Sequence, residues 1–472
     1  MSSRAPDQPL SRRRRVGILL ICSMSLFIVG LDITAVNVAL PAIGDDLDAS
    51  LSWLQWSVSA YTVVMASLLL FSGSMADRFG RRRTLITGMS VFSVASLLCS
   101  IAPTVELLVA ARVLQGIGAS MLNPVAMSII TNTFPDPRER AQAVGIWGAV
   151  FGASMALGPI VGGALVSSAG WQWIFLINVP LGGLAVFLLL RFVPESRAPR
   201  TRRFDPAGQL LVVVLLASVT YGIIEGPNAG WTSASILVAF SASVASLAGL
   251  LVHEPRREEP LVDLRFFRSI PFSSSIALSV AAFAAFGGFL FLTTIYLQDA
   301  RGLSAVEAGL AMVPIALMIM LVSPVSGRIV GRRGPRWPLA IAGLCFVLAC
   351  SMLAEVSSAT QFGWLIAAYT VFGIGFGFVN APITNAAISG MPVAQAGVAA
   401  AIATTSRQFG QALGVAVVGA IVASGAGAHA AWWTLTGLGA LVLTLGLLAT
   451  GVRAKDSARR TAVKLNPDAA TT

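Results

Sequence analysis

Apolar residues run along this 472-residue chain in long unbroken stretches separated by short polar segments. Runs at 16–40, 52–74, 84–102, 105–130, 141–167, 172–192 and 208–225 each approach the roughly 20 residues a helix needs to cross a bilayer. Seven more follow at 232–252, 272–296, 305–326, 337–355, 361–388, 397–424 and 431–451. A segment inside hydrocarbon must satisfy its own backbone hydrogen bonds, so each run is predicted to be an α-helix. The pattern predicts an all-α membrane protein with fourteen spans. The first run, led by Arg12 to Arg15, opens as a secretory signal does. It continues well past the length of a cleaved apolar region and is read as the first membrane helix.

Charge tests the count independently. An even number of spans leaves both termini on one side. With that side cytoplasmic, 29 of the 32 basic residues fall in cytoplasmic segments, one (Arg301) in an outer loop, and two (Arg112 and Arg407) inside helices. Clusters such as Arg81 to Arg83, Arg200 to Arg203, and Arg332 with Arg333 follow the positive-inside rule, and a miscounted helix would invert every later loop. Outer loops carry acids instead, including Asp45, Asp46 and Asp48.

The chain also repeats itself. Gly-Ile-Gly at 116–118 precedes Asn123, and the same triplet at 373–375 precedes Asn380, an offset of 257 in both cases. Near an offset of 254, Gly73, Arg78, Gly80 and Arg82 match Gly327, Arg332, Gly334 and Arg336. Such matches in corresponding helices point to duplicated six-helix sets. The expected organisation is a cytoplasmic tail (1–15), a six-helix bundle (16–192), a linker (193–207), an inserted helix pair (208–253), a linker (254–271), a second six-helix bundle (272–451) and a cytoplasmic tail (452–472).

Composition narrows the function. Only 11% of residues are charged and 56% are hydrophobic, against roughly 25% charged in a soluble domain. The net charge of +11 is spread over loops and forms no face, so nucleic-acid binding is not expected. Cys22, Cys99, Cys345 and Cys350 lie inside apolar runs without CxxC spacing, and His253 and His429 stand alone, so neither disulfides nor a metal site is expected. The only two lysines, Lys455 and Lys464, follow the last apolar run, so no phosphate-binding P-loop exists. Neither an enzyme's nucleophile–base pair nor any cofactor is indicated.

Several motifs carry a family resemblance. The loop from Gly73 to Arg83 (GSMADRFGRRR), with Gly73, Asp77, Arg78, Gly80, Arg81 and Arg82, resembles the signature between the second and third helices of the major facilitator superfamily. The stretches 31–41 (LDITAVNVALP), 112–116 (RVLQG), 158–163 (GPIVGG), 171–180 (WQWIFLINVP) and 204–208 (FDPAG) resemble its fourteen-helix drug:proton antiporter branch. The resemblance spans the chain from first helix to last. It implies a monomeric multi-pass exporter of drugs, antibiotics or other amphipathic compounds in a bacterial inner membrane, with protons as the coupling ion. A carrier of an endogenous metabolite on the same fold is the alternative, and a non-transporting membrane sensor a weaker one.

The residues behind these motifs have their own physics. Asp32 is an acid in the middle of an apolar helix, a costly placement that marks proton or substrate handling unless a cation locks it in place. Arg112 lies at a matching depth in the fourth helix, about 10–12 Å below the outer face at 1.5 Å per residue. The two are expected to meet or to bracket one wet cavity, and the resemblance implies a proton-handling role for Arg112. In the expected cycle, protonation of Asp32 weakens binding of a cationic or amphipathic substrate, which leaves outward. Asp77 is expected to latch the inner side by meeting a helix N-terminus across the two halves; its second-half counterpart is Gly331. Gly148, Gly152, Gly158, Gly162 and Gly163 place small residues four apart for close helix packing, with Pro159 permitting a kink. The resemblance marks Gly152, Gly158, Pro159, Gly162 and Gly163 as the antiporter motif. Candidate cavity residues are Asn37, Gln115, Asn123, Asn380, Asn385, Arg407, Gln408 and Gln411, with Tyr61, Trp147, Tyr369 and Phe376 as an aromatic wall.

Overall fold

The computed structural model describes residues 11–197, 204–257, 259–389, 391 and 393–465. The Arg200 to Arg203 cluster and the chain ends lie outside the described residues. The helices are α1 (Arg12–Asp46), α2 (Leu51–Phe79), α3 (Arg81–Ser100), α4 (Val105–Ser120), α5 (Asn123–Thr133), α6 (Pro137–Ala169), α7 (Gln172–Leu176), α8 (Asn178–Phe192) and α9 (Pro206–Ala229). They continue as α10 (Ala234–His253), α11 (Ile270–Ile295), α12 (Ala305–Arg333), α13 (Arg336–Ala354), α14 (Phe362–Gly377), α15 (Asn380–Ile388), α16 (Val393–Ala423), α17 (Gly427–Leu448) and α18 (Val452–Leu465). Fourteen spans have membrane length and composition; α4 with α5, α7 with α8, and α14 with α15 each form one span in two pieces. No strand occurs among the described residues.

Local chemistry sets the ends. Thr104 caps α4 through the Leu107 N–H, Asp136 caps α6, and Ser304 with Glu307 forms a reciprocal capping box on α12. The breaks between α4 and α5 and between α14 and α15 fall just before Pro124 and Pro382, which have no N–H to donate to the preceding turn. Both breaks sit at the repeated Asn123 and Asn380, so the duplication seen in sequence recurs in backbone shape.

In the first set of helices, α1 packs on α6, α2 on α4, and α3 on α4 and α8. In the second, α11 packs on α16 and α17, α12 on α14, and α13 on α14 and α17. The sets meet along two seams, α6 with α12 and α2 with α16. Helices α9 and α10 pair with each other, and α9 lies against both α2 and α16. There Val63, Ala66, Val212, Leu216, Leu250 and Ala412 share one apolar cluster. Trp56 Nε1 and Glu225 Oε1 (2.7 Å) join α2 to α9 by a further bond. Helices α1 and α11 are enclosed on nearly every side, whereas α10 faces mostly outward.

The segment after the last span holds α18, an amphipathic helix where the sequence suggested only a tail. Ala454 and Ala458 are buried, and Ser457 Oγ accepts the Ile270 N–H at 2.9 Å, which ties α18 to the start of α11.

Candidate transport site

Asp32 is placed on α1 among three donors. Arg112 Nη1 reaches Oδ2 at 2.7 Å, while Gln115 Nε2 (2.9 Å) and Asn178 Nδ2 (3.1 Å) reach Oδ1. Arg112 also donates through Nε to the Ser57 carbonyl at 2.8 Å and through Nη1 to Gln115 Oε1 at 2.5 Å. Its guanidinium lies 4.2 Å from the centre of the Tyr61 ring. Gln115 finishes by donating to Ser96 Oγ at 2.8 Å. The pair is dry, with the Arg112 and Asp32 side chains 1% and 0% exposed. The two residues therefore meet and do not bracket a wet cavity. A buried ion pair of this kind holds only if its remaining hydrogen-bonding capacity is met, which Gln115, Asn178 and Ser57 supply.

Helix α6 touches both sets. A Cβ on Gly158 would land on Thr34 Oγ1, and one on Gly162 would lie 2.9 Å from Ala35 Cα, so α6 grips α1 within one turn of Asp32. One residue on, and so about 100° round the helix, Gly163 faces Ala305, where a Cβ would stand 2.5 Å from the carbonyl oxygen. Gly309 abuts the Pro159 carbonyl in the same way. Backbone thus meets backbone where α6 and α12 close the face opposite the basic loops. Gln298 Nε2 adds a bond to the Val38 carbonyl at 2.8 Å, and Gly419 presses on Gln55 across α2 and α16. Toward the basic loops the α6–α12 seam opens: Gly152 still touches Met320, but Gly148, Gly145, Gly327 and Gly331 face open space. The 148–152 pair is therefore not the double packing surface its spacing suggested. Above the opening, Thr34, Met155, Pro159, Phe286, Met312 and Ile319 line a small apolar cavity.

The candidate cavity residues separate into two groups. Tyr61, Gln115 and Tyr369 are fully enclosed (0% exposed), Phe376, Asn37 and Gln411 nearly so (1%, 2% and 4%). This corrects their expected position on the cavity wall, because sequence does not reveal which face of a fully apolar helix meets a neighbour. Tyr61 is the shelf beneath Arg112, and Asn37 Nδ2 bonds the Ile33 carbonyl of its own helix at 2.7 Å. Asn123, Trp147, Asn380, Arg407 and Gln408 are partly exposed, and Asn385 is exposed. Asn123 Oδ1, Trp147 Nε1 and Gln408 Oε1 have no hydrogen-bond partner.

At the basic face, Asp77 pairs with Arg81 (Oδ1 to Nη2, 3.0 Å) one turn along its own loop. Among the described residues Asp77 does not make the expected contact with a helix N-terminus of the other set. Glu195 is the acid the motif missed: its carboxylate accepts the Arg82 N–H (3.0 Å) and Arg83 N–H (3.2 Å) at the start of α3. Gly80 has φ of 114°, and a Cβ there would sit 2.6 Å from the Glu195 carboxyl carbon. The positive φ demands glycine, and the absent Cβ leaves room for the Glu195 carboxylate. Arg78 points outward over Phe79, and Arg82 Nη2 bonds the Leu190 carbonyl at 2.5 Å. Gly73 meets nothing within 4 Å. In the FDPAG stretch Asp205 caps α9 and meets His253 at 3.0 Å and Arg257 at 3.8 Å. Burial opposes its charge, but the Gly208 N–H, His253 and Arg257 together hold its carboxyl below the usual range.

The sequence profile described as Major Facilitator Superfamily matches residues 22–415, most of the chain. The chain belongs to the major facilitator superfamily. Multidrug resistance protein Stp of Mycobacterium tuberculosis is 35% identical to this facilitator over 412 residues, covering 87% of this chain and 76% of its own. The tetracenomycin C resistance and export protein of Streptomyces glaucescens is 35% identical over 437 residues, covering 90% and 81%. Among solved structures, a POT family transporter in complex with 5-aminolevulinic acid superimposes with a TM-score of 0.71 at 16% identity, covering 93% of this chain and 96% of that one. That likeness shows the fold. This facilitator is a transporter and not an enzyme, a multi-pass protein of the bacterial plasma membrane.

The duplication gives the ion network a counterpart in the second half of the facilitator. At the offset of 257, Asp32, Arg112 and Gln115 correspond to Phe289, Tyr369 and Phe372. Phe289 stacks on Phe372 at 3.7 Å between ring centres and meets Tyr369 edge-on at 5.9 Å. Trp432 of α17 packs on Phe289, much as Asn178 of α8 packs on Asp32. The same three positions hold an acid, its cation and an amide in one half, and a sealed aromatic cluster in the other.

Proposed function

We propose that this transporter exports amphipathic organic compounds, drugs or antibiotics among them, in exchange for protons, as a monomer with both termini and the basic loops in the cytoplasm. The observation that carries the reading is the closed Asp32–Arg112–Gln115–Asn178 network beside the helix that seals the outer face. Three side-chain donors reach the Asp32 oxygens, a set that suits the carboxylate. A proton on Asp32 removes the counter-charge of a buried arginine, so protonation and the intact network exclude one another. Thr34, two residues on, bears against Gly158, and α6 carries that contact to α12 through Pro159 and Gly163. Loading a proton on Asp32 thus loosens α1, and with it the outer closure.

The magnitudes match. Breaking a buried ion pair costs about 3–5 kcal/mol. One proton moving inward across 100 mV supplies about 2.3 kcal/mol, and each unit of pH gradient about 1.4 more. At 100 mV and one pH unit the two sum to about 3.7 kcal/mol per proton, which falls within that range. The two halves rock about the α6–α12 and α2–α16 seams, and the inward-open arrangement with its dry Asp32 is one end of that motion. The names of the relatives, multidrug and antibiotic resistance proteins, support organic cargo. Purified protein in liposomes with an imposed pH gradient tests the reading. Wild type should accumulate an exported dye as the gradient grows, while Asp32→Asn should keep only gradient-independent exchange. Accumulation that ignored the gradient, or matched wild type in Asp32→Asn, would defeat it.

A further inference from the structure

Arg407 is the charged residue the network leaves unexplained. It stands ten residues after Gly397 and sixteen before Ala423 in the thirteenth span, about 15 Å from the nearer end. Arginine keeps its charge there. Among the described residues it forms no ion pair: Nη2 donates to Thr384 Oγ1 at 2.5 Å, and Nε has no partner. Thr384 Oγ1 in turn donates a hydrogen bond to the Asn380 carbonyl at 2.9 Å. A guanidinium offers five N–H donors, and this one spends a single bond on a neutral hydroxyl. Arg112, by contrast, has a carboxylate, an amide and a carbonyl. An unmatched cation at this depth is costly, and such residues face a water-filled path and meet their counter-charge there.

The surroundings connect Arg407 to the cavity. Its guanidinium lies 6.0 Å from the ring centre of Phe283. Phe283 meets Phe376 at 5.1 Å, and Phe376 stacks at 4.1 Å on Phe286, which lines the apolar cavity under the outer closure. Arg407 and Thr384 are partly exposed although they lie between α11, α15 and α16. Gln408 beside them holds a further unpartnered polar atom.

We propose that Arg407 is an anion site for the cargo, so that the transported class is organic anions with an apolar, ring-bearing body. With Asp32 and Arg112 neutralising one another, Arg407 is left as an intramembrane cation without an ion pair among the described residues. That charge repels lipophilic cations and attracts a carboxylate, sulfonate or acidic phenol. Thr384 holds one N–H of the guanidinium, and the Phe283 ring beside it offers the apolar body a surface to rest on. The assignment rests on the export reading only in taking this cavity as the cargo's route.

Three probes that share a pyrene body test it: pyrenesulfonate, neutral pyrenemethanol and pyrenylmethylammonium. Binding to the full-length protein in detergent is read by energy transfer from its tryptophans and needs no gradient. Wild type should bind the sulfonate about ten-fold or more tighter than the ammonium, and Arg407→Gln should lose roughly ten- to a hundred-fold in sulfonate affinity alone. Arg407→Lys, which keeps the charge, should retain the order of preference and control for misfolding. Equal binding of the three probes, or unchanged sulfonate affinity in Arg407→Gln, would overturn the site. Heat protection of wild type by chloride with no preference among the probes would assign an inorganic counter-ion and overturn it too. Gradient-driven export of the ammonium by wild type and Arg407→Gln alike would leave proton-coupled export standing and remove the anion site. Sulfonate binding that depends on Arg407, without any gradient-driven export, would do the reverse.

Discussion

Asp32 accepts from three side chains on two other helices, and each contributes differently. Gln115 ties together Asp32, Arg112 and Ser96, whereas Asn178 makes one bond. A hydrogen bond to a buried charge is worth about 1.5–3 kcal/mol. Asn178→Leu should therefore lower resistance to thermal unfolding in detergent by that order, and Gln115→Leu by clearly more. Equal effects would mean that Gln115 acts only as a filler of volume. The meeting of Asp32 and Arg112 was legible in the sequence because depth below the outer face follows from counting residues along a straight helix. Asn178 was not, although its motif stood out, since no count of residues shows which way the sixth span turns. The aromatic wall failed for the same reason: Tyr61, Tyr369 and Phe376 are apolar enough to face lipid, cavity or neighbour, and packing chose the neighbour.

At the level of elements, α6 shows how one helix can serve two partners. Its Gly158 and Gly162 face α1, and its Gly163 faces α12. The sequence spacing of small residues announced a close-packing helix but not which glycines pack. Gly163→Val would force the Ala305 backbone away, an overpacking worth about 1–3 kcal/mol against the closed outer face. Transport should fall about ten-fold while a cysteine placed near Ala305 becomes open to reagents from outside. Gly148→Val, with nothing within 4 Å, should change transport by no more than about two-fold. Equal loss in both variants would contradict this division of α6. The breaks at Asn123 and Asn380 were foreshadowed by the repeat and by the prolines beside them. Helix α18 was not, because its apolar face is narrow and its charges dominate the composition.

For the whole molecule, the fourteen spans were readable from length and hydropathy, and charge asymmetry predicts an orientation that the fold alone does not give. With the four native cysteines replaced, a single cysteine at Gly145 or Gly327 should react with a membrane-impermeant maleimide only from the cytoplasmic side, and addition of a bound cargo should change that rate. Labelling from outside intact cells would reverse the orientation. The α9–α10 pair covers the α2–α16 seam, so this molecule has one uncovered flank, between α6 and α12. On that flank the outer closure consists of bare main chain, Gly163 on Ala305 and Pro159 on Gly309. Helices that join through side chains must lift ridges out of grooves before they separate. Two glycine-smoothed surfaces have no ridges to lift and no rotamers to re-sort. The latch can therefore part and re-form with little frictional cost, which leaves the pace of turnover to the other partners in the cycle, cargo and proton.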